Sequence, residues 1–134
     1  MANEIWHNYT TGSTLYFCTF QQDGDVFLTN GESDETWGTG GRTAADYDMA
    51  LTEDGTSGHY VGTFDTSIGI GTYRITVYLQ AGANPVDTDL AIAQGEIYWT
   101  GTAEETIHTL NITNTTVTNV YDESTPPPIV VINV

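Results

Sequence analysis

The run TYRITVYLQ, residues 72–80, alternates apolar and polar side chains more regularly than any other stretch of the chain. A period of two residues is typical of a β-strand with one buried face. The face predicted to be buried carries Tyr73, Ile75, Val77 and Leu79. The opposite face carries Arg74, Thr76 and Tyr78, so Tyr78 is a candidate for exposure, with packing on the sheet face as the alternative.

Six other segments repeat this pattern between turn-forming residues, and no window predicts a helix. They are 15–20, 26–29, 46–51, 60–65, 90–99 and 107–112. The turn Gln22-Asp23-Gly24-Asp25 predicts a hairpin between the first two of them. Gly95 predicts a β-bulge within the segment 90–99. Seven short strands, with a turn at intervals of roughly 8–12 residues, indicate one all-β domain folded as an antiparallel β-sandwich.

One motif resembles immunoglobulin-like (Ig-like) domains. The stretch Gly71-Thr72-Tyr73-Arg74-Ile75-Thr76-Val77 is similar to the G-x-Y-x-h-x-V entry to a late strand of those domains. The resemblance places Tyr73 in the corner-tyrosine position. Ile75 stands where antibody domains carry a cysteine, so the resemblance implies a relative without the disulfide between the sheets.

A broader resemblance covers about residues 5–110. The stretches that carry it are Trp6–Tyr16 (WHNYTTGSTLY), Gly58–Gly62 (GHYVG) and Thr76–Tyr78 (TVY). They are similar to small Ig-like modules of tailed phages and aquatic bacteria. Such modules serve as structural or surface parts, so the resemblance implies a role other than catalysis.

The C-terminal segment differs in composition from the rest of the chain. Pro126, Pro127 and Pro128 form a stiff, extended spacer without backbone donors. The run Ile129-Val130-Val131-Ile132-Asn133-Val134 follows, and it predicts a strand that must be covered, because an exposed apolar edge aggregates. We therefore predict a sandwich at 1–121, a proline-rich linker at 122–128 and a C-terminal donor strand at 129–134.

Two placements of this last strand are open. It either joins its own sheet as the final strand, or it is donated to a neighbouring copy by β-augmentation. Seven predicted strands precede it, so it is surplus to a sandwich, which favours donation. Donation is a heterologous contact, and it predicts a head-to-tail homopolymer, similar in architecture to strand-exchanging filaments. The expected function is that of a self-assembling structural subunit of an extracellular filament or a virion.

The charge balance excludes several classes of partner. Eighteen acidic residues face only Arg42 and Arg74, which gives a formal net charge of −16. Such a chain repels phosphate backbones and anionic membrane surfaces, so we expect no nucleic-acid partner. No stretch of the sequence is apolar enough for membrane insertion. Residues 1–6 lack the pattern of a signal peptide, which leaves a virion protein or an extracellular protein whose leader precedes this sequence.

Three N-glycosylation sequons begin at Asn8, Asn111 and Asn114. They predict glycans on the outside of an assembly, while chance occurrence in a threonine-rich chain is the alternative.

Two acidic pairs, Asp23/Asp25 and Asp87/Asp89, are weak candidates for a calcium site. The spacing of i and i+2 places both carboxylates on one side of a strand or turn, as calcium requires. Solvated turn residues are the alternative, and the sequence indicates no other cofactor.

The alternative function is a carbohydrate-binding module with an aromatic platform, supported by calcium. Its candidate stacking residues are Trp6, Trp37, Trp99, Tyr78 and Tyr98. Core filling is the other interpretation of the same aromatic side chains.

Catalysis is not predicted. The three histidines, His7, His59 and His108, lack the spacing of metal ligands. Cys18 lies in the apolar run 15–20, so we expect a buried, unreactive thiol.

Overall fold

The computed structural model of the chain describes residues 3–29 and 31–105, together with the backbone of residues 117–119 and 130–132. Within these residues every strand pairing is antiparallel, which confirms the predicted all-β fold. The strands are β1 (Ile5–Asn8), β2 (Leu15–Phe20), β3 (Val26–Phe27), β4 (Asp34–Glu35), β5 (Met49–Glu53), β6 (His59–Gly62), β7 (Gly71–Leu79), β8 (Leu90–Trp99), β9 (Val117–Asn119) and β10 (Val130–Ile132). Thr39–Gly41 and Ala44–Asp46 form short 3₁₀ segments. None of the described residues belongs to a helix with the length and hydropathy needed to cross a membrane.

β2 lies at the centre of the main sheet. One of its edges pairs with β7 from Leu15 to Phe20, and the other pairs with β5 and then, at Phe20, with β3. β5 continues the sheet to β6 and β1, β7 continues it to β8, and β3 pairs onward with β4. The described strands therefore run in the order β1-β6-β5-β2-β7-β8, and the sheet curls into a nearly closed, barrel-like sandwich.

The strongly alternating segments are where prediction and structure agree best. β2 has the predicted bounds, and β7 differs from its predicted range by one residue at each end. The predicted hairpin is confirmed by the pairing of Phe20 with Val26. The predicted strand 107–112 lies outside the described residues.

The position of the bulge in β8 was predicted wrongly. Val77 pairs with Ala93 and Tyr78 with Ala91, so Ile92 is the extra residue. Gly95 instead pairs regularly with Ile75. The pairing with β7 determines where the extra residue is accommodated, and a glycine alone does not locate it.

The sequence pattern did not predict β1. Ile5 is the only buried residue among its four, so the strand shows no alternation to recognise. β1 is held by β6, in a register that places Ile5 opposite Gly62. A Cβ at Gly62 would lie 2.7 Å from the carbonyl oxygen of Ala50, so only glycine allows the neighbouring strands to approach this closely here.

The inner face of the sheet encloses the main core. Phe17, Phe64 and Trp99 are at most 2% exposed, and the indole Nε1 of Trp99 donates a hydrogen bond to the Ile68 carbonyl at 3.0 Å. Tyr73, Ile75 and Val77 of β7 are buried in this core, as predicted.

The outer face carries a second, smaller core, so Tyr78 packs on the sheet face and is not fully exposed. Thr76 is buried, and Tyr78 is half-buried with its ring stacked on Tyr16 at a centroid distance of 5.2 Å. The cover comes from the loop between β3 and β5. Its Trp37 and Tyr47 rings lie 4.6 Å apart, and Trp37 also stacks on Phe20. We call the buried residues Tyr16, Cys18, Val26, Ala44 and Tyr47 the outer core.

Glu53 ties the turn before β2 to the β5–β6 hairpin. Its carboxylate accepts hydrogen bonds from the Thr11 hydroxyl, from the backbone N–H groups of Gly12 and Gly58 (2.9 Å each) and from the Tyr60 hydroxyl (3.2 Å). These hydrogen bonds, that from Thr11 foremost, lower the pKa of Glu53 to about 2. The contacts fix the segment that leads from β1 into β2.

Replacing Glu53 with glutamine should lower the melting temperature at pH 7, because an amide offers one acceptor oxygen where a carboxylate offers two. The folded-state pKa of about 2 lies below the unfolded value of about 4.3, so the ionised group stabilises the fold above about pH 4. This contribution is lost as the pH falls through about 2. Melting curves at pH 7, 4 and 2 should therefore show the deficit of Glu53→Gln shrinking with falling pH.

Asp54→Asn is the matched control, because it removes one charge from an exposed position of the same turn. Its melting temperature should equal that of the unmodified chain at pH 7. Equal losses in the two variants would contradict the role given to Glu53.

Candidate functional site: an open seam between two sheet edges

β1 and β8 form two edges of the curled sheet that border one cavity. Among the described strands, β1 pairs with β6 alone and β8 pairs with β7 alone. A cavity of about 210 Å³ lies between them, lined by residues 4–7, 93–96, Ile75, Val77 and Glu104. We call this opening the seam. An edge strand presents unpaired backbone N–H and C=O groups, so the seam can accept a further strand.

The floor of the seam is apolar and opens toward the main core. Ile75 and Val77 are 5% and 4% exposed, and they pair with Gly95 and Ala93 of β8. A Cβ added at Gly95 would meet no heavy atom of the described residues within 4 Å. Over this apolar floor, β8 thus presents only the small residues Ala93 and Gly95.

Carboxylates surround this apolar floor. Glu4, Glu96 and Glu104 line the seam, and no lysine or arginine does. Glu4 accepts a hydrogen bond from the Phe64 backbone N–H at 3.0 Å, so its side chain is fixed. Nearby acidic groups repel an acidic segment, so the seam disfavours the acidic parts of the chain.

One end of the β8 edge is occupied by the chain itself. After a turn at residues 100–103, Glu104 bridges to Trp99, and the N–H of Glu105 donates to the Tyr98 carbonyl at 2.6 Å. Residues 106–116 lie outside the described residues. The described contacts on this edge of β8 therefore stop at Tyr98, short of Gly95.

The described part of the C-terminal strand pairs within its own chain. β10 runs antiparallel to β9, with Val131 opposite Thr118, and the two form a sheet separate from the main one. An isolated two-stranded ribbon is marginally stable in water, so this pair needs further contacts. The other residues assigned to the donor strand and linker, Ile129, Val134, Pro126, Pro127 and Pro128, lie outside the described residues.

The four acidic candidates for calcium serve as acceptors in turns. Asp23 accepts from the N–H of Asp25 at 3.0 Å, and Asp87 accepts from the N–H of Ala44 at 2.7 Å. The described residues contain no group of three or more His, Cys, Asp or Glu side chains arranged to hold a metal ion.

Asp89 is the most deeply buried of these carboxylates. It accepts hydrogen bonds from the Tyr16 hydroxyl and the Val86 N–H at 2.9 Å each, and from the Ala81 N–H at 3.2 Å. Burial alone would raise its pKa, but the bonds from Val86, Ala81 and Tyr16 hold that pKa below its usual range. Asp89 thus fixes the loop before β8 against the outer core.

The glycosylation candidates divide between described and undescribed residues. Asn8 lies exposed on β1, where its Oδ1 is 2.7 Å from Nδ1 of His59. Asn111 and Asn114 lie outside the described residues, so glycosylation stays a prediction.

The aromatic candidates do not share one surface. Trp99 fills the main core, Trp37 and Tyr78 cover the outer core, and Trp6 is 61% exposed on β1 beside the seam. Sequence reasoning missed the seam because it depends on β1, which shows no alternation, and on the empty space at Gly95. The sequence contains only two basic residues, and this composition was the one signal that pointed to an acidic rim.

Comparisons of the chain with protein-family models, with curated proteins and with solved structures each found no match.

The structure places Cys18 where the sequence predicted it. The thiol is fully buried in the outer core, and burial raises its pKa well above the ordinary value. Because the thiolate is the reactive form, this side chain is unsuited to nucleophilic chemistry.

The native protein should therefore resist a thiol reagent such as DTNB for an hour and react fully in 6 M guanidinium chloride. Thr88→Cys places a thiol at an exposed position and should react within minutes in the native state. Rapid labelling of Cys18 in the unmodified native protein would contradict its burial.

Proposed function

We propose that this chain is a structural subunit that assembles head to tail by donating residues 129–134 to the seam of the next copy. The observation that carries the proposal is the seam itself: two edges that border one cavity, each paired on one side only among the described strands, and an apolar floor of Ile75 and Val77. The same chain carries an uncharged, β-branched segment of the kind that such a seam accepts.

Side-chain chemistry favours the C-terminal segment over the chain's own continuation beyond Glu105. Continuing the pairing of Trp99 with Glu104 in register would assign Thr106, His108 and Leu110 to the inward positions. Only one of those three is apolar. The C-terminal segment offers an entirely apolar face, which consists of Val130, Ile132 and Val134.

The energetics require pairing on both sides of the donated strand. Burying three such side chains contributes about 5–8 kcal/mol. Ordering six residues costs about 1–2 kcal/mol each, which is comparable or larger. Hydrogen bonds to both β1 and β8 are needed to make the exchange favourable, and the seam offers both edges.

A donated strand and its acceptor seam are different surfaces of the same chain, so the contact is heterologous and its natural product is an open filament. The resemblance of residues 5–110 to phage and bacterial surface modules supports an extracellular filament or a phage appendage as that product. Residues 130–132 pair with β9 outside the main sheet, so donation requires them to leave β9 for the seam of the next copy.

Carbohydrate binding is the second candidate, and the exposure of Trp6 favours it. The ring lies 5.7 Å from that of His59, which leaves an indole face on β1 for a sugar to stack on. A module of this kind would stay monomeric whatever the sequence of residues 129–134.

Replacing the apolar donor face with threonine should abolish assembly without unfolding the body. The full-length variant V130T/I132T/V134T keeps β-branched side chains but loses the apolar contacts. We expect the unmodified chain to form multimers by light scattering and filaments by negative-stain microscopy, and the variant to be monomeric with an unchanged melting temperature.

The matched control is I129T/V131T, which changes the opposite face of the same strand and should still assemble. A monomeric unmodified chain would contradict the proposal. So would a donor-face variant that assembles normally, or one whose melting temperature falls while its oligomeric state is unchanged, since the strand would then belong to its own sheet.

Assembly should become faster as sodium chloride is raised from 0.1 to 1 M. Copies with a formal charge of −16 repel one another, and the screening length falls from about 10 Å to about 3 Å over this range. The lag time of light scattering measures the effect, with sucrose at matched osmolality as the control. A lag that lengthens with salt would show that ion pairs hold the copies together and would contradict an apolar, strand-mediated contact.

A further inference from the structure

Gly95 lies in the middle of the seam, where the described part of the fold has no need of a glycine. Its φ is outside the left-handed region, and a Cβ added to it would meet no heavy atom of the described residues within 4 Å. Gly62 is the opposite case, because a Cβ there would clash with the Ala50 carbonyl oxygen at 2.7 Å. A glycine inside a strand weakens it, so a β-branched residue at position 95 would serve the isolated fold better.

The missing side chain leaves open space above Ile75. Gly95 pairs with Ile75, and both residues line the seam. A strand docked on the edge of β8 that borders the seam would place one side chain opposite Gly95.

We infer that Gly95 forms the specificity pocket of the seam and receives the Ile132 side chain of a second copy; this inference rests on the proposed function. The side chains of this donor segment are uncharged, so the rim of Glu4, Glu96 and Glu104 does not repel them. Ile132 is the central and largest side chain of the apolar donor face.

The register of the donated strand follows from this contact. With Ile132 opposite Gly95 in an antiparallel pair, Val130 lies opposite Ile97 and Val134 lies opposite Ala93. Ile129 would fall opposite Tyr98, whose carbonyl already accepts from the Glu105 N–H, so the paired segment is 130–134. Facing Cβ atoms in such pairs are about 4.5–5.5 Å apart, so their side chains compete for the same volume. The largest donor side chain thus meets the position without one, and the two valines meet the flanking positions.

A size-swap experiment tests the pocket. The acceptor is the full-length V130T/I132T/V134T variant, which cannot donate, with either Gly95 or Gly95→Val. The probes are fluorescein-labelled peptides of residues 126–134, either unmodified or with Ile132→Ala, and fluorescence anisotropy gives the affinities.

The acceptor with Gly95 should bind the unmodified peptide at least tenfold more tightly than the Ile132→Ala peptide. Gly95→Val should weaken the binding of the unmodified peptide at least tenfold, because overfilled sites are destabilised. This acceptor should therefore bind the Ile132→Ala peptide more tightly than the unmodified one.

Two further variants keep the result interpretable. Gly82→Val makes the same change in an exposed loop, where a Cβ also meets nothing within 4 Å, and should leave both affinities unchanged. Gly95→Ala adds a single methyl group and should give intermediate affinities.

The outcomes separate this inference from the function on which it rests. Equal binding by the Gly95 and Gly95→Val acceptors would overturn the pocket and leave strand donation standing. No peptide binding to the acceptor with Gly95 would overturn strand donation itself. Loss of the folded circular-dichroism spectrum in Gly95→Val would also overturn the inference, because the fold would then require the glycine.

Discussion

The pairing of β2 with β7 is the contact on which the rest of this structure depends. It joins six residue pairs, from Leu15 with Leu79 to Phe20 with Arg74. Alternate pairs point to opposite faces, so the same ladder supplies Phe17 and Val77 to the main core and Tyr16 and Tyr78 to the outer core. The sheet curls around the main core, and β1 and β8, the edges of the sheet among the described strands, come to border one cavity.

How far the sequence predicts this architecture depends on how local the signal is. Residues 72–80 and 15–20 carry their own alternation, and their strands were predicted to within one residue. Trp37 and Tyr47 cover the outer face through contacts with residues far away in sequence, which no local pattern encodes. Gly95 was predicted at a bulge from its residue type alone, and the pairing with β7 shows that the bulge lies elsewhere. The pocket that we infer at Gly95 depends on the space above Ile75, which forms only when the sheet has curled.

The seam is unusual because proteins ordinarily protect their sheet edges with charge, proline or cover. Here the protection is selective. A rim of carboxylates repels acidic segments, and a chain with 18 acidic residues and two basic ones is made largely of such segments. Residues 126–134 are free of charged side chains, as are residues 106–121, so charge removes the acidic segments without choosing between these two. The apolar face of 129–134 and the small residues Ala93 and Gly95 would make that choice.

Cross-linking between isotopically distinct copies tests the central claim most directly. A photoreactive benzoylphenylalanine replaces Gln94, which lies exposed on β8 at the seam, in a ¹⁵N-labelled chain. This chain is refolded with an equal amount of the unlabelled, unmodified chain, irradiated and analysed by mass spectrometry. Strand donation predicts cross-links from position 94 of the labelled copy to residues 129–134 of unlabelled copies. Cross-links confined to the labelled chain's own residues, whether 107–112 or 129–134, would contradict it.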